Sequence, residues 1–337
     1  MKFDNKLFII AELSANHNHD LSLAIKTIEA IAQSGANAVK VQTYTADSLT
    51  LDIDNEYFGP RKDGLWKGRT LYDLYTEGAL PYEWYSTLQK VAEDNGLVFF
   101  SSPFAKKDVD FLETINCPIY KVASPEITDI PLITYIASQG KPMIISTGMA
   151  DENDIRLAIE TCYKEGNRNI TLLKCTSEYP ASPDMANLLT IPDIKNQFNV
   201  RVGLSDHTMG STVPIAAVAL GATVIEKHFI LNRNLGGIDS SFSMEPAEFA
   251  EMVKACHDAY AALGNVSYQL TERNRLRRRS LFAAEDIKAG EIITEYNIRS
   301  VRPGHGLHPK FLKEILGKKV IQNLEKGEPF SLDYIKE

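Results

Sequence analysis

Residues 7–43, LFIIAELSANHNHDLSLAIKTIEAIAQSGANAVKVQT, hold one complete unit of the architecture. Residues 7–13 are an apolar run too short for a helix and read as a strand buried on both faces. The stretch AELSANHNHD that follows has no Gly-rich turn, which an open, doubly wound sheet usually shows after an early strand. Residues 21–35 then set Leu23, Ile25, Ile28 and Ile31 along a helical face, with Gly35 where a stop is expected. Residues 38–43 are short and apolar again, so the unit reads as strand, crossover helix, parallel strand. Further apolar runs lie at 97–102, 119–123, 143–147, 171–175, 200–204 and 223–229. Helical patterns fall at 82–96, 150–166 and 246–264, the last opened by Pro246 and closed by Gly264. Eight strand runs separated by crossovers predict an α/β fold, a (β/α)8 TIM barrel over residues 1–265.

The character changes after Gly264. TERNRLRRRS (271–280) has little material for a core and falls in an expected linker, residues 266–279. Its arginines read as a solvated connector or as a cation patch against a partner subunit. Residues 280–337 predict a small module with an internal pseudo-repeat, DIKAGEIIT (286–294) echoed by NLEKGEPFS (323–331).

Across 337 residues, 36 Lys and Arg against 44 Asp and Glu leave a net charge of −8, which argues against general nucleic-acid binding. A small anion held by a few local cations stays open. The first apolar run is broken by Glu12, so neither a signal peptide nor a membrane span is expected. Cys117, Cys162, Cys175 and Cys256 are scattered without a CxxC, which points to a reduced, cytoplasmic protein without disulfides or cysteine-bound zinc.

Reactive groups of a parallel barrel gather at the C-terminal ends of its strands. Here all eight ends are polar. They carry Glu12 with Asn16 and His17; Lys40 and Gln42; Ser101 and Ser102; Lys121, Ser124 and Glu126; Ser146 and Thr147; Lys174, Ser177 and Tyr179; Ser205, Asp206 and His207; Glu226, Lys227 and His228. Lys40 and Lys121 lie inside apolar runs, and a buried ammonium needs an anion. A phosphorylated carboxylic acid supplies one; an internal ion pair with Glu12 or Glu126 answers equally well. His207 and His228 end consecutive strands about 4.8 Å apart. They suit a catalytic Mn²⁺, Mg²⁺ or Co²⁺ with open positions, or they are hydrogen-bonded histidines without metal.

IIAELSANHNHD (9–20), VKVQTY (39–44), FSSPF (100–104), YKVASPE (120–126), STGMA (146–150), LLKCTSEYP (172–180), GLSDHT (203–208), VIEKHF (224–229) and SVRPGHGLHPK (300–310), in this order, resemble the sialic acid synthase family end to end. The C-terminal module is similar to that family's antifreeze-like (SAF) domain. ELSANHN and GLWKGRTLYDLYTE (64–77) look most like the pseudaminic acid branch, and Ser177 stands where N-acetylneuraminate synthases more often show Asn.

The resemblance implies condensation of phosphoenolpyruvate with an open-chain amino-sugar aldehyde, 2,4-diacetamido-2,4,6-trideoxy-L-altrose in this branch. Acceptors of the N-acetylneuraminate or legionaminic acid synthases are the alternative. It implies that His207 and His228 bind a divalent metal ion. Lys40, Ser102, Lys121, Ser124, Ser146 and Ser205 would hold phosphoenolpyruvate, Ser177 stands at a substrate-binding position, and Glu12, Gln42, Tyr179 and Asp239 would face the sugar. Independently of the resemblance, Glu126 sits beside Ser124 on the same loop and is a carboxylate suited to accept a proton. A domain-swapped homodimer is implied, with Arg302 reaching the partner's barrel and Phe282 lining the same mouth. No nucleic acid or membrane partner is expected.

Overall fold

The computed structural model describes residues 6–336, in two compact units, Met1–Gly264 and Asn265–Glu337. In the first unit eight strands close a barrel in sequence order: β1 (Phe8–Glu12), β2 (Ala38–Thr43), β3 (Val98–Pro103), β4 (Tyr120–Val122), β5 (Met143–Ser146), β6 (Ile170–Cys175), β7 (Arg201–Asp206) and β8 (Val224–His228). All neighbours run parallel. Register sets Glu12 beside Lys40 on one side and beside His228 on the other.

The opening unit of the sequence folds as expected, with one change of face. Asp20 caps the helix Leu21–Gln33, its carboxylate accepting from the Ser22 and Leu23 amides. Gly35, at φ +84°, turns the chain back. The buried stripe, however, is Ala24, Thr27, Ile28 and Ile31 rather than one holding Leu23 and Ile25. These four recur at i, i+3, i+4 and i+7, the spacing a helix packed on a sheet requires. Ile9, Val39, Phe99, Ile144, Leu172 and Ile225 are among the strand residues of one continuous core. Full burial of each such side chain is worth about 1.5–3 kcal/mol.

Alternation along the strands decides what faces the site. On β8, Glu226 and His228 point inward, while Lys227 points out and donates to Asp206 and the Thr208 carbonyl. The connection from β2 to β3 is the long one. It contains the helices Ala46–Leu49, Leu71–Gly78 and Tyr85–Asp94.

In the second unit β9 (Ser280–Ala283) and β10 (Ile298–Val301) pair antiparallel over a core that includes Leu281, Ile287, Ile315, Val320, Leu324 and Phe330. The pseudo-repeat is structural. Ile287 and Leu324 exchange both backbone bonds at 2.9 and 2.8 Å. The Asp286 carboxylate accepts from the Lys326 amide, and the Asn323 side-chain oxygen accepts from the Ala289 amide. Gly290 and Gly327 both adopt φ +90°. Glu291 and Glu328 each accept from the amide three residues back. Residues 263–279 are exposed throughout and include the short helix Glu272–Leu276.

Candidate active site

A cavity of about 480 Å³ opens at the C-terminal ends of the barrel strands. Glu12, Lys40, Gln42, Lys121, Ser124, Glu126, Ser146, Ser177, Tyr179, Ser205, His207, His228 and Asp239 all line it. Ser102, in register with Gln42, is buried close by but is not part of the lining. Lys174 is not part of it either; its ammonium donates to the Cys175 carbonyl at 2.7 Å. Phe282 lies in β9 of the second unit, where it pairs with Pro329, and Arg302 is exposed just after β10.

Two lysines and two carboxylates make the floor. Lys40 Nζ is 2.8 Å from Glu12 Oε1 and 3.3 Å from Glu226 Oε1. Lys121 Nζ is 3.5 Å from the same Glu226 oxygen, to which Ser205 also donates at 3.1 Å. Both ammonium groups thus have internal partners, but the shared one is Glu226 rather than Glu126. Its signal was the strand period, which puts Glu226 on the same face as His228.

Burial pushes the Glu12 carboxyl up, yet Lys40 and His228 together hold it well below the usual carboxylate range. Burial depresses Lys40, and the Glu12 and Glu226 carboxylates more than restore it. Lys121 shifts down, because burial and the neighbouring Lys40 outweigh the help from Glu226. Of the pair, Lys121 carries the less well compensated charge.

Several buried polar atoms around this floor have no partner: Ser102 Oγ, Ser146 Oγ, Glu126 Oε2, Glu226 Oε2 and His228 Nδ1. Buried polar groups are nearly always satisfied, so a cluster of orphans marks where a polar ligand belongs. The Gly148 amide donates to Ser124 Oγ at 3.1 Å. A Cβ on Gly148 would stand 2.9 Å from that oxygen and would also collide with Ser177 Oγ, so glycine keeps this wall open.

Above the floor the rings of His207 and His228 lie 5.3 Å apart between centroids. Tyr179 packs on His207 at 4.4 Å and Phe242 on His228 at 5.0 Å. His207 Nδ1 lies 2.9 Å from the Thr176 carbonyl, which accepts only if that nitrogen carries the proton, leaving Nε2 with a free lone pair. His228 Nδ1 is the orphan named above. Among the described residues no group of three or more His, Cys, Asp or Glu side chains is placed to hold a metal. The two imidazoles still fit a divalent ion that keeps its other positions for water and substrate.

Glu126 stands apart from the ion pairs. Burial raises its carboxyl to about 7, the range in which one group both takes and returns a proton at neutral pH. Sequence reasoning did not single out Cys175, whose thiol is brought down to about 7: burial raises it, and His207, Ser124 and the Lys121 ammonium together reverse this. Nor did it place the outer wall, made of Tyr44, Leu49, Arg61, Trp66, Leu71, Leu74, Tyr75 and Phe104. Much of that wall comes from the β2–β3 connection, where motif 64–77 lies.

Residues 27–268 match the model of the NeuB family, and residues 278–336 match that of the SAF domain. The chain belongs to the NeuB family. The pseudaminic acid synthase of Campylobacter jejuni is 48% identical over 328 residues, 96% of this chain and 95% of its own length. That of Helicobacter pylori is 46% identical over 331 residues, 97% of each. The solved N-acetylneuraminic acid (sialic acid) synthetase of Leptospira borgpetersenii, in complex with citrate, superposes with a TM-score of 0.71 at 32% identity, covering 80% of this chain and 89% of its own. Like other (β/α)8 enzymes, this NeuB-family barrel carries its cavity at the strand C-termini. No helix among its described residues is long and apolar enough to cross a membrane.

Proposed function

We propose that this chain is a pseudaminic acid synthase, condensing phosphoenolpyruvate with 2,4-diacetamido-2,4,6-trideoxy-L-altrose and water to give pseudaminic acid and phosphate. The observation that carries the reading is the floor: two buried ammonium groups beside orphaned serine hydroxyls, directly under two histidines with free nitrogens. Identity of 46–48% to pseudaminic acid synthases, against 32% to the N-acetylneuraminic acid synthetase, favours this acceptor over the alternatives.

Lys40 and Lys121 would hold the phosphate and carboxylate of phosphoenolpyruvate, with Ser124, Ser146 and Ser205, and with Ser102 and Ser177 at the edge. Glu12, Gln42, Tyr179 and Asp239 would orient the sugar. A divalent ion, Mn²⁺, Mg²⁺ or Co²⁺, held by His207 and His228 would polarise the aldehyde oxygen as a Lewis acid. Holding both reactants in place turns their meeting into a unimolecular step. C3 of the enol attacks the aldehyde carbon, forming the new C–C bond and leaving positive charge at C2. Water adds at C2 and loses a proton to Glu126, while the former aldehyde oxygen takes one up. The C2–O bond of the phosphate ester then breaks, the electron pair leaves with phosphate, the C2 hydroxyl gives its proton to that phosphate, and C2 becomes the keto carbon. A reaction drawing on phosphoenolpyruvate fits the cytoplasm.

Purified protein supplied with Mn²⁺, phosphoenolpyruvate and each candidate aldehyde tests the proposal. Phosphate release with a product whose mass and NMR match pseudaminic acid is expected. Release with N-acetylmannosamine alone would overturn the acceptor assignment. With ¹⁸O in the bridging position of phosphoenolpyruvate, the label is expected in phosphate; label in the sugar acid would mean P–O cleavage.

A further inference from the structure

The helix Leu71–Gly78 sets its apolar stripe against the cavity, with Leu74 and Gly78 buried and Leu71 and Tyr75 half-buried. Leu71, Leu74, Tyr75 and Gly78 recur at i, i+3, i+4 and i+7, one face of a helix, and all four line the cavity. Asp73, Thr76 and Glu77, on the other side, are exposed. An amphipathic helix normally lays such a stripe on a core; this one lays it on the volume the substrate must enter. Tyr44 and Phe104 continue the surface. The Tyr44 ring meets Tyr75 at 5.8 Å and Phe104 at 5.4 Å, both edge-on.

The wall is held in place from both ends. Thr70 Oγ accepts from the Asp73 amide at 3.0 Å, and the Gly78 carbonyl lies 3.2 Å from His17 Nε2. A Cβ on Gly78 would stand 2.8 Å from the Tyr44 hydroxyl, so that hydroxyl is turned toward the helix end. The apolar surface is therefore preformed rather than assembled around a ligand.

What meets it follows from connectivity, given the acceptor assigned above, on which this inference rests. With the enol phosphate on the lysine floor and the aldehyde carbon at the histidines, the sugar chain runs outward and presents C6 last. In that acceptor C6 is a methyl group. We infer that the aliphatic and aryl side chains of Leu71, Leu74 and Phe104, beside the Tyr44 and Tyr75 rings, form the subsite for this methyl and so favour 6-deoxy acceptors over those ending in hydroxymethyl. The methyl gains burial there, whereas a hydroxyl gives up water for an apolar surface. Apolar pockets discriminate on this basis by up to about 10²-fold.

The test compares 2,4-diacetamido-2,4,6-trideoxy-L-altrose with its 6-hydroxy counterpart, reading kcat/KM from phosphate release. The wild type is expected to prefer the 6-deoxy sugar by about tenfold or more. Leu71→Asn and Leu74→Asn are expected to bring the ratio toward unity, mainly by losing the 6-deoxy substrate. Leu74 is buried, so Leu71→Thr at a half-buried position is the variant that keeps the fold, verified by an unchanged melting temperature. An equal loss for both sugars, with the ratio unmoved, overturns the subsite while leaving the acceptor assignment intact. Release from neither sugar by the wild type overturns the acceptor assignment itself.

Discussion

At the scale of single residues, Glu126 and His207 separate proton transfer from metal binding. Glu126→Gln keeps size and loses the base, so kcat is expected to fall about 10²–10⁴-fold with substrate KM little changed. The same variant has a stability signature. The folded carboxyl titrates near 7 and the ordinary value is 4.5, so between these pH values the folded state binds more protons than the unfolded state. Wild-type stability therefore falls as pH rises through that window, and the Gln variant does not share the fall. The melting-temperature difference, variant minus wild type, is expected to grow from pH 5 to pH 8; a constant difference would show that Glu126 is not buried as a lone acid. His207→Ala is expected to abolish tight Mn²⁺ binding in a titration followed by calorimetry, with the melt unaltered. Undiminished turnover of this variant at saturating Mn²⁺ would remove the histidines from the metal assignment.

At the scale of elements, strands were readable and loops were not. Short apolar runs ending in polar residues have one economical arrangement, a closed parallel barrel, and period two along β8 already aligns Glu226 with His228. Which carboxylate takes which lysine is less accessible. Glu12 ends its strand, Glu126 lies in the loop after one and Glu226 sits two residues before the end of β8, and only the inter-strand register brings Glu226 between Lys40 and Lys121. The outer wall is harder still, because an apolar helical stripe in 71–78 reads the same whether it covers a core or a cavity. Gly148 shows how a loop serves the site. Gly148→Ala puts a methyl 2.9 Å from Ser124 Oγ, so KM for phosphoenolpyruvate is expected to rise about tenfold or more while the melt stays cooperative. An unchanged KM would mean that this loop does not touch the anion.

At the scale of the whole molecule, residues 265–270 are exposed along their length, and Val266 and Tyr268 are 91% and 96% accessible. Apolar side chains so displayed suit cover by another protein surface, and we propose a homodimer in which Arg302 would reach the partner's barrel; Phe282 is itself buried in its own module. Mixing Arg302→Ala with Glu126→Gln protein under conditions of subunit exchange is expected to restore activity that neither has alone; no recovery at any ratio would count against shared sites. The repeat in the second unit bears on how that module gains order. Each half completes its partner's backbone bonding, Asp286 holding the Lys326 amide and Asn323 the Ala289 amide. Neither half is a finished object without the other, so severing the chain between them leaves two sets of orphaned amides, and the two halves are bound to order and melt as one.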